Sequence, residues 1–302
     1  MEYIVAAYTD IGTQKKTNQD SLCVRRASIS QHGETVMAVL CDGMGGLQKG
    51  ELASAYAVKT FGAWFDQNMN RLSELCAGNF EQVRQQWTAL ILSLHNRIRA
   101  HSQGYGIQMG TTLTAILAYD GRYLTVNIGD SRIYERKYTL KQLTEDQSLV
   151  AKEIALGRIT KEQARHHPQR NILLQCLGVG DSVTPVFTGG TVVGNGLYLL
   201  CSDGFLQEVS EAEMEASLDP MVLMTKELLT RRLTELTDVC KQRGERDNIT
   251  AILCRTVESQ YTPPPSALKR TLQKLHIKKN PDINNQAILL ETAQIVHTEE
   301  TI

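Results

Sequence analysis

Residues 111–136 read T-T-L-T-A-I-L-A-Y-D-G-R-Y-L-T-V-N-I-G-D-S-R-I-Y-E-R, and their pattern decides the fold. Thr111–Tyr119 is an apolar, partly β-branched run, Asp120-Gly121 is a two-residue hairpin signal, and Arg122–Ile128 is the returning arm. A third strand is expected over Ile133–Arg136. Such a meander implies antiparallel pairing. Between the second and third strands, Gly129-Asp130-Ser131 sets a carboxylate at the mouth of a buried strand.

Outward from this centre the elements alternate. Toward the N-terminus, strands are predicted over 3–8 and 35–41, and helices over 51–68 and 80–100. Toward the C-terminus, residues 144–180 are more polar and read as an inserted flap. A buried strand over 197–201, a long helix over 220–243 and a closing strand over 249–257 follow. The domain is expected to span 1–258. Residues 259–302 read as a Pro-rich linker (Pro263–Pro265) and a basic tail, with Leu268, Leu272 and Leu275 among Lys269, Arg270, Lys274, Lys278 and Lys279.

Composition narrows the class. A chain of 302 residues that is 42% hydrophobic can bury a large core, and a net charge of −1 makes no general case for nucleic acid or membrane binding. Seven cysteines without a C-x-x-C pair argue against a structural zinc site; Cys41 and Cys201 sit in apolar runs and read as core. No signal-peptide pattern and no spanning apolar stretch is present, so a reducing cytoplasm is the expected setting.

Four aspartates share one local setting. Asp42 lies in V-L-C-D-G-M-G-G, Asp130 in N-I-G-D-S-R, Asp203 in L-L-C-S-D-G and Asp247 in E-R-D-N-I-T. Any one alone would be ordinary turn chemistry. Four at the mouths of strands point to one site for hard divalent cations, which prefer oxygen ligands, and so to metal-activated hydrolysis of a phosphate ester. Gly43 leaves room for its carbonyl to approach a metal. The G-x-x-x-x-G-K-[ST] loop is absent, which excludes a P-loop. Lys15 or Lys16, in the loop before Asp20, supplies a positive charge for phosphate, and Arg132 reads as a brace of its turn. His95 and His101 read as surface residues of the second helix, and His166 and His167 as part of the flap.

In order, T-D-I-G-T-Q-K-K-T-N-Q-D-S, C-D-G-M-G-G-x-x-x-G-E-x-A-S, G-T-T-L-T-A, N-I-G-D-S-R-I-Y, L-T-E-D-Q-S-L-V, H-P-x-R-N-x-L-x-x-x-L-G, L-L-C-S-D-G and R-D-N-I-T resemble the metal-dependent serine/threonine protein phosphatases of the 2C type, in their bacterial branch. The resemblance covers about residues 3–257. It implies an α+β fold, a four-layer α-β-β-α sandwich of two antiparallel sheets. It implies that a metal-bridging water or hydroxide attacks the phosphorus of phosphoserine or phosphothreonine. Two Mn2+ or Mg2+ ions are expected, with a third, weaker site.

By the same resemblance Asp42 bridges two metals, the Gly43 carbonyl binds one, and Asp203 and Asp247 complete the first metal's shell. Asp130 with Asp203 holds the third, Asp20 positions metal-bound water, and Lys15 contacts phosphate. Lys15 stands where the family usually has arginine, which predicts a raised KM. Gln19 replaces a usual glutamate, Met44 stands where eukaryotic members often carry histidine, and Gln147 replaces a common flap histidine. Expected partners are phosphorylated proteins, a cognate serine/threonine kinase among them, with no nucleic acid, no transmembrane segment and a monomeric state. The alternative is a degenerate phosphatase acting as a regulatory binding module.

Overall fold

The computed structural model describes residues 1–29, 32–44, 49–258, 287–298 and 302. Eleven strands are seen among them: β1 (Glu2–Asp10), β2 (Ser21–Ile29), β3 (Gly33–Cys41), β4 (Leu113–Tyr119), β5 (Arg122–Ile128), β6 (Arg132–Arg136), β7 (Leu140–Gln142), β8 (Val186–Thr191), β9 (Leu197–Cys201), β10 (Ile249–Val257) and β11 (Ala287–Ile295). The helices are α1 (Gly50–Asn68), α2 (Leu72–Leu75), α3 (Ala77–Tyr105), α4 (Leu149–Ala155), α5 (Lys161–Arg165), α6 (Asp203–Glu208), α7 (Glu211–Ser217) and α8 (Lys226–Gln242).

One sheet runs β1-β10-β9-β6-β7 and the other β11-β2-β3-β4-β5-β8, with every pair antiparallel. The side chains of β3 show how the layers form. Met37, Val39 and Cys41 join an apolar cluster with Phe61 of α1 and Trp87 of α3. Val36, Ala38 and Leu40, on the other face, join a second cluster with Leu200 of β9 and Ile252 of β10. This is the two-residue strand period with both faces buried. A third cluster packs Leu199, Ala251 and Leu253 against Leu229 and Leu233 of α8. Three apolar interfaces between four layers make the expected α-β-β-α sandwich.

The hairpin at Asp120-Gly121 forms as expected, with φ of 49° and 70° at its two central residues. The third strand does not extend that meander. β5 pairs with β8, whereas β6 crosses to the other sheet and pairs with β7 and β9. The long helix begins at Lys226 rather than at Pro220, because the Thr225 hydroxyl accepts the Leu228 N–H and fixes the N-cap there. His95 is buried at 1% exposure, and its Nδ1 accepts the Gly178 N–H at 3.3 Å, tying α3 to the end of the flap; it is not a surface residue. All seven cysteines are buried and free.

β11 lies in the region read as tail. It pairs with β2 along its length, with a bulge between Leu289 and Glu291, and places Ala287 in the first cluster while Ala293 and Ile295 pack on the second. The Pro263–Pro265 linker and the basic stretch around Leu268–Lys279 lie outside the described residues.

Candidate metal centre

Each predicted acidic residue stands where a strand ends. Asp42 follows β3, Asp130 follows β5, Asp203 follows β9 and opens α6, Asp247 precedes β10, and Asp20 precedes β2. Central strands of the two sheets thus deliver their ends to one cleft. At Asp42 the backbone is locked on both sides: its N–H donates to Thr112 Oγ1 (2.9 Å), and its carbonyl accepts from the Thr112 N–H and Thr111 Oγ1 (both 2.9 Å). Gly43 donates to the Gln19 carbonyl at 3.1 Å. A Cβ at Gly43 would sit 2.5 Å from that carbonyl oxygen and 2.6 Å from the Gly50 carbonyl oxygen, so only glycine fits where these three segments cross.

The Asp247 turn is organised by a neighbour that sequence reasoning left unassigned. Asn248 Oδ1 accepts the Gln19 N–H at 2.9 Å, and its Nδ2 donates to the carbonyls of Ile11 (2.9 Å) and Thr17 (3.3 Å). One side chain therefore staples the 11–19 loop to the start of β10. Thr13 Oγ1 adds a bond to the Glu245 carbonyl at 2.6 Å. Gly12, at φ 77°, passes so close to the Asp247 carbonyl that any side chain would overlap it. Asn18 plays a similar part. It orders Asp20 through its Oδ1, which accepts the Asp20 N–H at 3.1 Å. An asparagine beside each aspartate, in N-Q-D and D-N-I, is the signal that identifies both.

Electrostatics show that these carboxylates are neighbours. Asp42 is held well above the usual carboxylate range by burial and then by Asp20, Asp203, Asp247 and Asp130. Asp130 is also pushed well up, by burial first and then by Asp203 and Asp146. Burial and Asp247 raise Asp203 to about 6. Burial, with Asp203 and Asp247, raises Asp20 to about 7, while the Thr250 and Ser202 hydroxyls offset part of that. Asp20 is 1% exposed, and neither carboxylate oxygen has a hydrogen bond of good geometry. Carboxylates that raise one another in this way, with Asp20 fully buried among them, are relieved by a cation.

Among the described residues no three His, Cys, Asp or Glu side chains stand, as they are, in an arrangement that could hold a metal ion. The side chains share a field rather than a finished coordination shell, and a cation is what would draw them in. The donor set, all carboxylate plus the Gly43 carbonyl, suits Mg2+ or Mn2+ and not zinc. The residues present therefore fit the implied metals.

Lys15 is drawn into this field. Its ammonium lies 2.6 Å from Asp247 Oδ1, and against the cost of burial Asp247, Asp42 and Asp203 raise its pKa. Arg132 is the brace expected of it: it grips Asp146 through Nε (2.9 Å) and Nη2 (2.7 Å), and its Nη1 donates to Tyr134 Oη at 2.8 Å. Gln147 closes the Asp130 turn. Its Oε1 accepts the Gly129 N–H at 3.0 Å, its N–H donates to the Gly129 carbonyl at 2.8 Å, and its Nε2 reaches the Thr184 carbonyl at 3.1 Å. Gln19 Nε2 donates to Glu51 Oε2 at 3.1 Å. Met44 is half-buried, its N–H bonded to the Gly110 carbonyl at 3.0 Å.

The raised carboxyls fix a pH dependence. Between the unfolded value of 3.8 and folded values of about 6 and about 7, the folded metal-free protein binds more protons than the unfolded chain. Its stability from these groups is therefore greatest in acid and falls as pH rises through that window. His95 and His297, held below the usual range by burial, pull the other way. The gain in Tm on adding Mn2+ isolates the carboxylates. It is expected to be larger at about pH 7.5 than at about pH 5; an equal gain at both would show that the cluster is not protonated as described.

Comparison with known proteins places this geometry in context. The model of the family described as protein phosphatase 2C matches residues 12–254. Protein phosphatase PhpP of Streptococcus pneumoniae is 33% identical over 256 residues, covering 82% of this chain and 96% of that protein. The serine/threonine phosphatase of S. agalactiae superposes with a TM-score of 0.70 at 29% identity, covering 85% of this chain and all of that one. The Mycobacterium tuberculosis serine/threonine phosphatase PstP/Ppp superposes with a TM-score of 0.68 at 30% identity, covering 85% of this chain and 99% of that one.

Proposed function

The chain belongs to the bacterial branch of the protein phosphatase 2C family and is a protein serine/threonine phosphatase, and we propose that its reaction centre is the cluster of Asp42, Asp203, Asp247 and Asp130, with Asp20 behind it. The observation that carries this reading is the mutual repulsion of these carboxylates at strand ends from both sheets.

Family membership makes the enzyme metal-dependent, and a solved structure of the catalytic domain of the phosphatase PstP, 27% identical, holds two manganese ions. In this chain Asp42 and the Gly43 carbonyl, with Asp203 and Asp247, would hold two Mn2+ or Mg2+ ions, and Asp130 with Asp203 a weaker third. When bound, such ions activate water for attack on phosphorus and neutralise the phosphoryl oxygens.

The remaining work falls to protein groups. Asp42, its backbone locked by Thr111 and Thr112, offers its carboxylate to the cleft from a fixed position. Asp20, buried behind the cluster, accepts hydrogen bonds from water that it orients toward the cleft. Lys15 offers its ammonium to a phosphoryl oxygen as a point charge, less directional than a guanidinium fork. Met44 carries no proton, so the departing seryl or threonyl oxygen takes its proton from water in the cleft.

The catalytic unit spans residues 1–258, with the flap over about 144–180 shaping access for phosphorylated protein substrates, a cognate serine/threonine kinase among them. Residues 259–302 follow this unit, and among the described residues Ala287–Ile295 form β11 beside β2. Among the described residues no helix is long and apolar enough to cross a membrane. The enzyme acts as a monomer in the cytoplasm. A regulatory module that has lost catalysis is not favoured, since every acidic residue of the cluster is present.

The test is hydrolysis of a phosphothreonine peptide by metal-stripped protein with and without added Mn2+, beside Asp203→Asn. Turnover is expected only with metal and is expected to fall by at least about 10²-fold in the variant. Metal-dependent turnover that survives in Asp203→Asn would move the reaction centre elsewhere.

A further inference from the structure

We infer that Lys15 is a displaceable counter-ion: its ammonium occupies Asp247 in the metal-free protein, a divalent ion expels it, and the freed ammonium then binds the substrate phosphate. The inference rests on the reading of the reaction centre given above. It assigns one side chain two partners in sequence, and it makes metal loading a condition for phosphate capture.

Three observations carry it. First, the ammonium lies on Asp247 Oδ1 itself, at 2.6 Å, and the Asn248 N–H donates to the same oxygen at 2.8 Å. A metal that takes this oxygen must displace the lysine. Second, the loop that bears Lys15 is fastened on both flanks to the Asp247 turn. Ile11 and Thr17 accept from Asn248 Nδ2, the Gln19 N–H donates to Asn248 Oδ1, and Thr13 binds the Glu245 carbonyl. The displaced ammonium therefore stays beside the centre. Its four-carbon stem swings locally while its backbone remains fixed. Third, both side chains are partly open, at 28% and 30% exposure, so a hydrated ion and a phosphate each reach them from solvent.

The residue type matters. A lysine holds a carboxylate through one point contact and releases it readily, whereas an arginine would form a two-pronged pair. Lysine at position 15 thus trades grip on phosphate for easier loading of metal.

Calorimetric titration of metal-stripped protein with Mn2+ tests this without reference to turnover. Lys15→Met is expected to bind Mn2+ about fivefold more tightly, as loss of a partly exposed ion pair predicts. Lys15→Arg is expected to bind it more weakly. At saturating Mn2+ the order reverses for inorganic phosphate, a competitive ligand: Lys15→Arg binds it best and Lys15→Met worst. A general structural effect of altering the loop would not give opposite signs for the two ligands. Unchanged or weaker Mn2+ binding by Lys15→Met would overturn the inference. Asp42→Asn separates the two levels: if it abolishes Mn2+ uptake while Lys15→Met leaves uptake unchanged, the counter-ion role fails and the metal centre stands. If the unsubstituted protein takes up no Mn2+, both fail.

Discussion

Asp42→Asn is expected to lower turnover at saturating Mn2+ by about 10³-fold or more and, in the same protein stripped of metal, to raise the Tm. The two effects share one cause. Asp42 feels Asp20, Asp203, Asp247 and Asp130. Asparagine keeps its size and leaves intact the backbone bonds to Thr111 and Thr112. It removes one carboxylate from a cluster of five. Stability of the metal-free form, and with it the Tm, should rise, since a neutral amide escapes the burial cost and the repulsion that push the Asp42 carboxyl up. Stability and activity trade against each other at such sites because the strain is what binds the cofactor. Phosphopeptide kinetics and thermal unfolding in chelator check the pair of effects. A variant that is both inactive and less stable would mean that Asp42 is a structural residue.

Arg132→Met should be the most damaging single change outside the acidic cluster. The Arg132–Asp146 pair is bidentate, with Asp146 13% exposed and Arg132 28% exposed. Asp146 Oδ1 also accepts from Gln142 Nε2 at 2.9 Å, and Arg132 holds Tyr134. Removing the guanidinium strands a mostly buried carboxylate beside Asp130. The cost for a fully buried pair is about 3–5 kcal/mol, and partial exposure reduces it to about 2–4 kcal/mol, or roughly 5–15 °C in Tm. The double variant Arg132→Met/Asp146→Leu should recover most of that loss, because no charge is then left unpaired. Denaturant unfolding of the three proteins decides the matter. A double variant no more stable than Arg132→Met would show that the arginine acts through packing rather than charge.

Most of the sandwich was legible because strands buried on one or both faces leave long apolar runs. Four strands were not, of which β7 is only three residues long. β2, S-L-C-V-R-R-A-S-I, carries two arginines in its middle, which break any apolar reading. The structure hides them differently. Arg25 is 6% exposed and reaches Asp66 of α1 at 3.0 Å, while Arg26 pairs with Glu34 of β3 and Glu291 of β11. A charge is tolerated in a core strand when another element supplies its partner, the helix layer for Arg25 and neighbouring strands of the same sheet for Arg26, and sequence does not show that partner. β8 contains Gly189-Gly190, a pattern that reads as a turn, yet it pairs along an edge with β5. β11 is mostly exposed, so its apolar signal is mixed.

Which sheet a strand joins was also out of reach, since period fixes faces and not neighbours. β6 follows β5 by four residues but belongs to the other sheet. At the site the aspartates were legible from their turns. Asn248 and Asn18 were not, because their value lies in which loop each one fastens, and this appears only once the loops are brought together.

The pairing of β1 with β10 carries a consequence for how the protein is made. Asp10 lies opposite Ile249, about 240 residues later in the chain. At a synthesis rate of about 5–20 residues per second, the first strand emerges roughly 12–48 seconds before its partner exists. Throughout that interval Tyr3, Val5 and Ala6, which end in two different cores, have no strand beside them. Until β10 is made, β1 is thus an unprotected sheet edge on the nascent chain. Slowed elongation late in the message should increase loss of this protein to aggregation before any effect on the finished enzyme is seen.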